Sequence, residues 1–260
     1  MKVWAIANQK GGVGKTTTTV TLAGELAARG YRTLMVDMDP HGSLTGYFGV
    51  EADKVSGGVF SLFQQESPTL RGQVIATCVE NLSFVPASLA LATVDRQLGA
   101  REGMGLVLAR ALADVRDQFD FALVDCPPML GVPMVNALAA CHRLIVPVQT
   151  EHLALQGLDR MLRTMSMILK AGKPTLPYVI VATMFDKRTK AAYQALAALH
   201  EQYGDHLANV VIPVDTQFRE ASRAGLPLSA HAPRTRGMLA YRDLLEELLN
   251  PTPVQHTAVA

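Results

Sequence analysis

Short apolar runs rich in Val, Ile, Leu and Ala alternate along this chain with longer stretches in which apolar residues recur every three or four positions. Runs of the first kind occupy residues 2–7, 33–37, 82–85, 121–125, 144–148, 178–183 and 210–212, and predict seven β-strands. Between them, residues 15–29 carry Val20, Leu22, Ala23, Leu26 and Ala27 at helical spacing and stop at Gly30, a residue suited to ending a helix. Residues 153–170 repeat the pattern with Leu155, Leu158, Met161, Leu162, Met165 and Leu169, ending before Gly172. The Met-rich stripe of this second helix reads as core, because Met fills irregular apolar gaps. Strands alternating with helices predict an α/β fold: one doubly wound, mostly parallel sheet with helices on both faces.

The chain folds, on this reading, as a single domain over residues 1–250. Residues 53–68 are polar and glycine-containing and form an excursion from it, not a linker. The last ten residues, 251–260, hold two prolines and no periodicity, and predict a disordered tail.

Composition changes little in this picture. The 260 residues are 49% apolar and 18% charged, which excludes a mainly disordered chain. The first residues carry an apolar run too short for a signal sequence or a membrane span. Cys78, Cys126 and Cys141 are odd in number and lack CxxC spacing, so neither a disulfide framework nor a zinc site is expected and a reducing cytoplasm fits best. A net charge of +1 leaves any binding of DNA or anionic lipid to a local patch.

The sharpest chemical signal is Lys10-Gly11-Gly12-Val13-Gly14-Lys15-Thr16, directly after the first strand and directly before the first helix. Glycines let a backbone curl so that successive N–H groups face an anion, and the helix N-terminus adds its dipole. Lys15 is placed to neutralise phosphate charge, and Thr16 offers a hydroxyl to Mg²⁺. Gln9 stands where the general phosphate-loop pattern has its first glycine, and Lys10 follows as a second lysine. A lysine at the start of the loop faces away from its own phosphates, toward a nucleotide bound by a second subunit.

This segment resembles the deviant Walker A motif of the ParA/MinD superfamily of P-loop ATPases. Leu34-Met-Val-Asp37-Met-Asp39-Pro40-His41-Gly42 is similar to that family's second acidic motif, and Phe121-Ala-Leu-Val-Asp125-Cys126-Pro127-Pro128 to its Walker B and switch II. Residues 212–241, with Pro213, Glu220-Ala221, Gly225-Leu-Pro227, Gly237 and Tyr241, extend the likeness to nearly the whole chain. The resemblance implies ATP and Mg²⁺ as cofactors and slow, partner-stimulated hydrolysis by an ATP-bound homodimer. Gly11, Gly12, Val13, Gly14, Lys15, Thr16 and Thr17 would contact the nucleotide. Lys10 would act on the opposite protomer, Thr16 and Asp125 on the metal, and Asp39 on the attacking water. Asp37 would lie near the metal, although both Asp37 and Asp39 also suit a simple capping role. Adenine contacts would fall on Thr183-Met184 and on Ile212-Pro213-Val214-Asp215. Pro127-Pro128 would stiffen a switch that moves when the γ-phosphate is lost.

Family members bind a surface and place a cargo. The final helix, residues 237–249, carries Asp243, Glu246 and Glu247 and is a poor binder of anionic lipid, so no membrane-anchoring helix is expected. Nonspecific DNA is the alternative matrix, through Lys187, Arg188, Arg219 and Arg223, with Lys190, Arg234 and Arg236 near them. Arg188 and Arg219 fall where the resemblance places DNA-contacting arginines. The first strand opens at Lys2, so no operator-reading helix-turn-helix domain is expected ahead of it. Asp39-Pro40-His41-Gly42-Ser43, in place of the more common Asp-Pro-Gln-Gly-Asn, brings the chain nearer to the members that position chemotaxis arrays at a cell pole. Two rival readings stand beside this one: a metabolic P-loop ATPase of the same superfamily, and an adaptor whose protein contacts ATP switches. An iron–sulfur reductase component would need cysteines held between subunits, and Cys126 in switch II is the residue to examine.

Overall fold

A computed structural model describes residues 1–98, 103–170 and 176–250. The strands are β1 (Lys2–Ile6), β2 (Thr33–Asp37), β3 (Ile75–Ala76), β4 (Leu82–Val85), β5 (Phe121–Asp125), β6 (Arg143–Gln149), β7 (Tyr178–Phe185) and β8 (Leu207–Pro213). The helices are α1 (Lys15–Ala28), α2 (Ser43–Tyr47), α3 (Val59–Leu62), α4 (Val94–Leu98), α5 (Val107–Ala113), α6 (Val132–Ala140), α7 (His152–Lys170), α8 (Lys190–Tyr203), α9 (Gln217–Ala224), α10 (Leu228–His231) and α11 (Arg236–Leu249). One sheet of order β3-β4-β2-β5-β1-β6-β7-β8 contains all the strands of the described residues. Every pairing is parallel except β3 with β4.

The expected seven strands are all present, and the eighth, β3, is a correction. Its two residues are exposed, so no buried run marks it in the sequence, and only pairing with β4 makes it a strand. The side chain of Leu169, with Gly172 and the tail 251–260, lies outside the described residues.

Alternation along the central strands builds two cores. Val3 and Ala5 of β1, Leu34 and Val36 of β2, Ala122 and Val124 of β5, and Leu144, Val146 and Val148 of β6 face one side, where α5, α6 and α7 cover them. Trp4, Ile6, Met35, Phe121, Leu123 and Ile145 face the other, under α1 and α11. A strand buried on both faces reads as an unbroken apolar run. Met161 and Met165 are fully buried in the first core, as the stripe on α7 predicted.

α1 is held from behind by the C-terminal helices. Gly24 leaves room for Pro227, since a Cβ there would stand 2.2 Å from the Pro227 Cβ. The Thr18 and Tyr241 hydroxyls share a 2.7 Å hydrogen bond. The N-terminus of α1 is thereby fixed at the carboxyl end of the sheet, where open parallel sheets bind ligands.

Candidate functional site: a phosphate loop beside paired carboxylates

The turn between β1 and α1 takes its shape from glycine. Gly12 and Gly14 have φ of 76° and 93°, a left-handed backbone that side-chain-bearing residues avoid. A Cβ at Gly11, Gly12 or Gly14 would meet nothing within 4 Å, so the loop's inner rim is open. Thr183 donates to the Val13 carbonyl at 2.9 Å, and Thr19 to the Lys15 carbonyl at 3.0 Å. The Asn8 side chain accepts from the Lys10 amide and donates to the Pro147 carbonyl. Lys15 is buried, and its Nζ donates to the Lys10 carbonyl at 3.3 Å. An anion entering the loop would offer this ammonium a stronger, charged acceptor.

Two carboxylates, Asp125 and Asp37, end neighbouring strands, and a third, Asp39, follows β2. Asp125 ends β5, and its Oδ2 accepts from Thr16 Oγ1 at 2.6 Å. Its Oδ1 is buried without a hydrogen-bond partner among the described residues. Burial first, and the neighbouring Asp37 charge second, push the Asp125 carboxyl well above the usual range. A buried carboxylate oxygen with no donor, beside a threonine hydroxyl and a lysine, fits a divalent cation, whose charge reverses that destabilisation.

Asp37 ends β2 and is fully buried. Its Oδ2 accepts from both the Thr45 amide and the Thr45 hydroxyl, at 2.8 and 2.6 Å, and its Oδ1 from the Asp39 amide at 3.1 Å. Burial raises it to about 6, although Thr45 opposes that shift. Through these bonds Asp37 organises the loop between β2 and α2. Asp39 is mostly buried; its Oδ1 accepts from the His41 amide and contacts His41 Nδ1 at 2.8 Å. Asp37 thus accepts from an amide in the first turn of α2, whereas Asp39 bonds the preceding turn, and neither is the N-cap, which is Gly42.

A cavity of about 570 Å³ is lined by Gly11, Gly12, Gly14, Lys15, Thr16 and Thr17, by Asp39, His41 and Tyr47, and by Pro128, Met184 and Ser222, while Asp37 and Asp125 are buried and do not line it. Met184 holds a positive φ of 54°, an uncommon backbone for a non-glycine residue. Pro213, Val214 and Asp215 do not line this space. They border a second cavity of about 800 Å³ with Lys187, Arg188 and Arg236, where the Val214 amide donates to the Phe185 carbonyl. The Asp215 side chain accepts from the Gln217 and Gly237 amides.

The expected basic residues form two groups. Lys187 and Arg188 follow β7, and Arg188 is paired bidentately with Asp186 at 2.9 and 2.7 Å. Arg219 and Arg223 are exposed on α9. Cys126 is buried, with burial pushing its thiol well up, and Cys141 is also buried. Neither can present a thiolate between subunits.

Comparison with known proteins decides the family. A family model described as an AAA domain, AAA_31, matches residues 1–178. The sporulation initiation inhibitor protein Soj of Bacillus subtilis is 37% identical over 248 residues, covering 95% of this chain and 98% of Soj. The chromosome-partitioning ATPase Soj of Thermus thermophilus is 39% identical, covering 94% of each. The chain belongs to the ParA/Soj family of P-loop ATPases. Among solved structures, cobyrinic acid a,c-diamide synthase of Mycobacterium smegmatis with bound ADP and magnesium superposes with a TM-score of 0.82 at 33% identity, over 96% of this chain and 94% of the other.

Within this ParA/Soj frame some working residues escaped sequence reading. Thr45, the clamp on Asp37, lies eight residues beyond it with nothing local to mark it. Tyr47 lines the cavity while its hydroxyl donates to the Leu226 carbonyl at 2.9 Å, a contact spanning most of the chain. Glu151, which pairs with Lys10, follows β6 without any motif around it.

Proposed function

We propose that this ParA/Soj-type chain binds Mg-ATP in the loop of residues 11–17, dimerises with nucleotide at the interface, and hydrolyses it to position a cargo on nonspecific DNA. The observation that carries the reading is that Lys15, Thr16 and Asp39 line one cavity, with the buried Asp125 carboxylate accepting a hydrogen bond from the lining Thr16. In this reading loop amides and Lys15 hold the β- and γ-phosphates, while Thr16 and Asp125 hold Mg²⁺. The metal ion, when bound, offsets phosphate charge and orients the γ-phosphate. Asp39 takes the attacking water by hydrogen bonding, with Asp37 holding its backbone amide and His41 its carboxylate, and Lys10 serves the partner's nucleotide. Backbone groups of Met184, Pro213, Val214 and Asp215 read the base edge.

Lys187, Arg188, Arg219 and Arg223 would grip DNA phosphates, and dimerisation would double that patch on one rigid body. Among the described residues no helix is long and apolar enough to cross a membrane, and α11 buries its apolar side. Partitioning of a chromosome or plasmid is the cargo role that the Soj relatives support; placement of a chemotaxis array is a narrower alternative, resting on the His41-Gly42-Ser43 departure. Nucleoid or pole, and a stimulating partner protein, belong to the same proposal.

The test is retention on nonspecific DNA with ATP against ADP, across a salt series. Salt-sensitive retention with ATP alone is expected. Lys15→Ala should lose nucleotide, Lys10→Ala should lose dimerisation or turnover more than binding, and Asp39→Ala should accumulate the ATP dimer. A Lys10→Ala protein that dimerises and turns over normally would refute the cross-subunit role.

The diamide-synthase neighbour favours a second reading, in which ATP drives chemistry on a small molecule. ATPase activity that rises with a small carboxylic acid substrate, and not with DNA or a protein partner, would establish it instead.

A further inference from the structure

Lys10 is held twice within its own subunit. Its carbonyl accepts the Lys15 ammonium, and its own ammonium forms an ion pair with Glu151. Both partners sit on rigid frames. Asn8 ties the Lys10 amide to Pro147 of β6. Glu151 lies two residues beyond β6, on a turn fixed by the Thr150 amide donating to the Thr183 carbonyl and the Glu151 amide donating to the Gln149 carbonyl. Because β1 and β6 are neighbours in the sheet, their carboxyl ends bring the two charges together without movement of either loop.

We propose that Glu151 is a positioning residue that parks Lys10 in the lone subunit, so that ATP-driven dimerisation must break this pair before Lys10 can reach the partner's nucleotide. The proposal rests on the reading that Lys10 acts across the interface. Two events release the lysine. Phosphate in the loop draws Lys15 off the Lys10 carbonyl, and the partner's phosphates then compete with Glu151 for its ammonium. The pair suits a latch because its strength is modest. Both side chains are partly exposed, at 34% and 41%, and such a pair is worth roughly a fivefold preference at most. Two identical pairs break when a symmetric dimer forms, so the dimer constant changes by up to about thirtyfold.

The experiment measures dimerisation against protein concentration by sedimentation, using the full chain with Mg²⁺ and a nonhydrolysable ATP analogue. Wild type, Glu151→Gln, Lys10→Ala and the double variant are compared, with analogue affinity of the monomer measured in parallel. Glu151→Gln should dimerise at a concentration about five- to thirtyfold lower than wild type, and the gap should narrow in high salt. In the Lys10→Ala background Glu151→Gln should change nothing. An unchanged or higher midpoint for Glu151→Gln, with Lys10→Ala still defective, overturns the latch and leaves the cross-subunit role standing. A Lys10→Ala protein that dimerises as wild type overturns that role and the latch with it.

Discussion

Asp37 and Asp125 stand opposite one another in register on the adjacent parallel strands β2 and β5, both buried. Two carboxylates so placed cannot both ionise without cost in the absence of a cation. The sign of the resulting pH dependence is definite. The folded Asp37 titrates near 6, above its unfolded range, so the folded state holds a proton that the unfolded state has released. The Asp37 contribution is therefore fully present at low pH and is lost as pH rises through about 4 to 6. Asp37→Asn removes that titration. In the nucleotide-free protein, its stability relative to wild type should climb across this window by up to about 3 kcal/mol and then level off, as read by urea unfolding at successive pH values. A difference independent of pH would contradict the assignment.

Asp125→Asn should separate stability from ligand binding. Its Oδ1 has no partner among the described residues, so at a pH high enough to ionise this raised carboxyl, neutralising the group relieves an uncompensated buried charge. The nucleotide-free variant should melt a few degrees above wild type, since about 1 kcal/mol moves the midpoint by about 2–4 °C at this size. The further stabilisation that Mg-ATP gives wild type should be largely lost.

Tyr241→Phe probes the tie between α11 and the phosphate-loop helix. The Thr18 hydroxyl, fully buried, loses its 2.7 Å partner, and an unsatisfied buried group costs about 1–3 kcal/mol. Denaturant midpoints should fall accordingly. The double variant with Thr18→Val should recover part of the loss, because both polar groups are then gone.

Gly24→Ala sets helix propensity against packing. Alanine gains about 1 kcal/mol over glycine in a helix, yet its methyl would overlap the Pro227 ring, and such overpacking costs about 1–3 kcal/mol. Net destabilisation, with α10 displaced from α1, is the expected outcome; a rise in melting temperature would show that α10 yields freely.

The strands and the phosphate loop were legible because their signals are local. Alternation on a doubly buried strand writes an apolar run, and left-handed turns call for glycine at Gly12 and Gly14. The acidic segments were legible as ends of such runs. Ile75–Ala76 was not, since pairing alone defines it, and the division of the expected base-contact residues between two cavities depends on where β7 and β8 end relative to α11.

By itself the linear order of residues determined the α/β class, the place of the phosphate loop, and which acids end strands beside it, because each follows from backbone preference and burial within a few positions. The tertiary structure alone decided that Asp37 serves Thr45 and the Asp39 amide, that Arg188 is paired with Asp186, and that Lys10 rests on Glu151. Those are outcomes of competition among polar groups. Which donor reaches which acceptor is settled by distance and desolvation in the folded chain, whether the partner is two residues away, as Asp186 is from Arg188, or on a neighbouring strand end, as Glu151 is from Lys10.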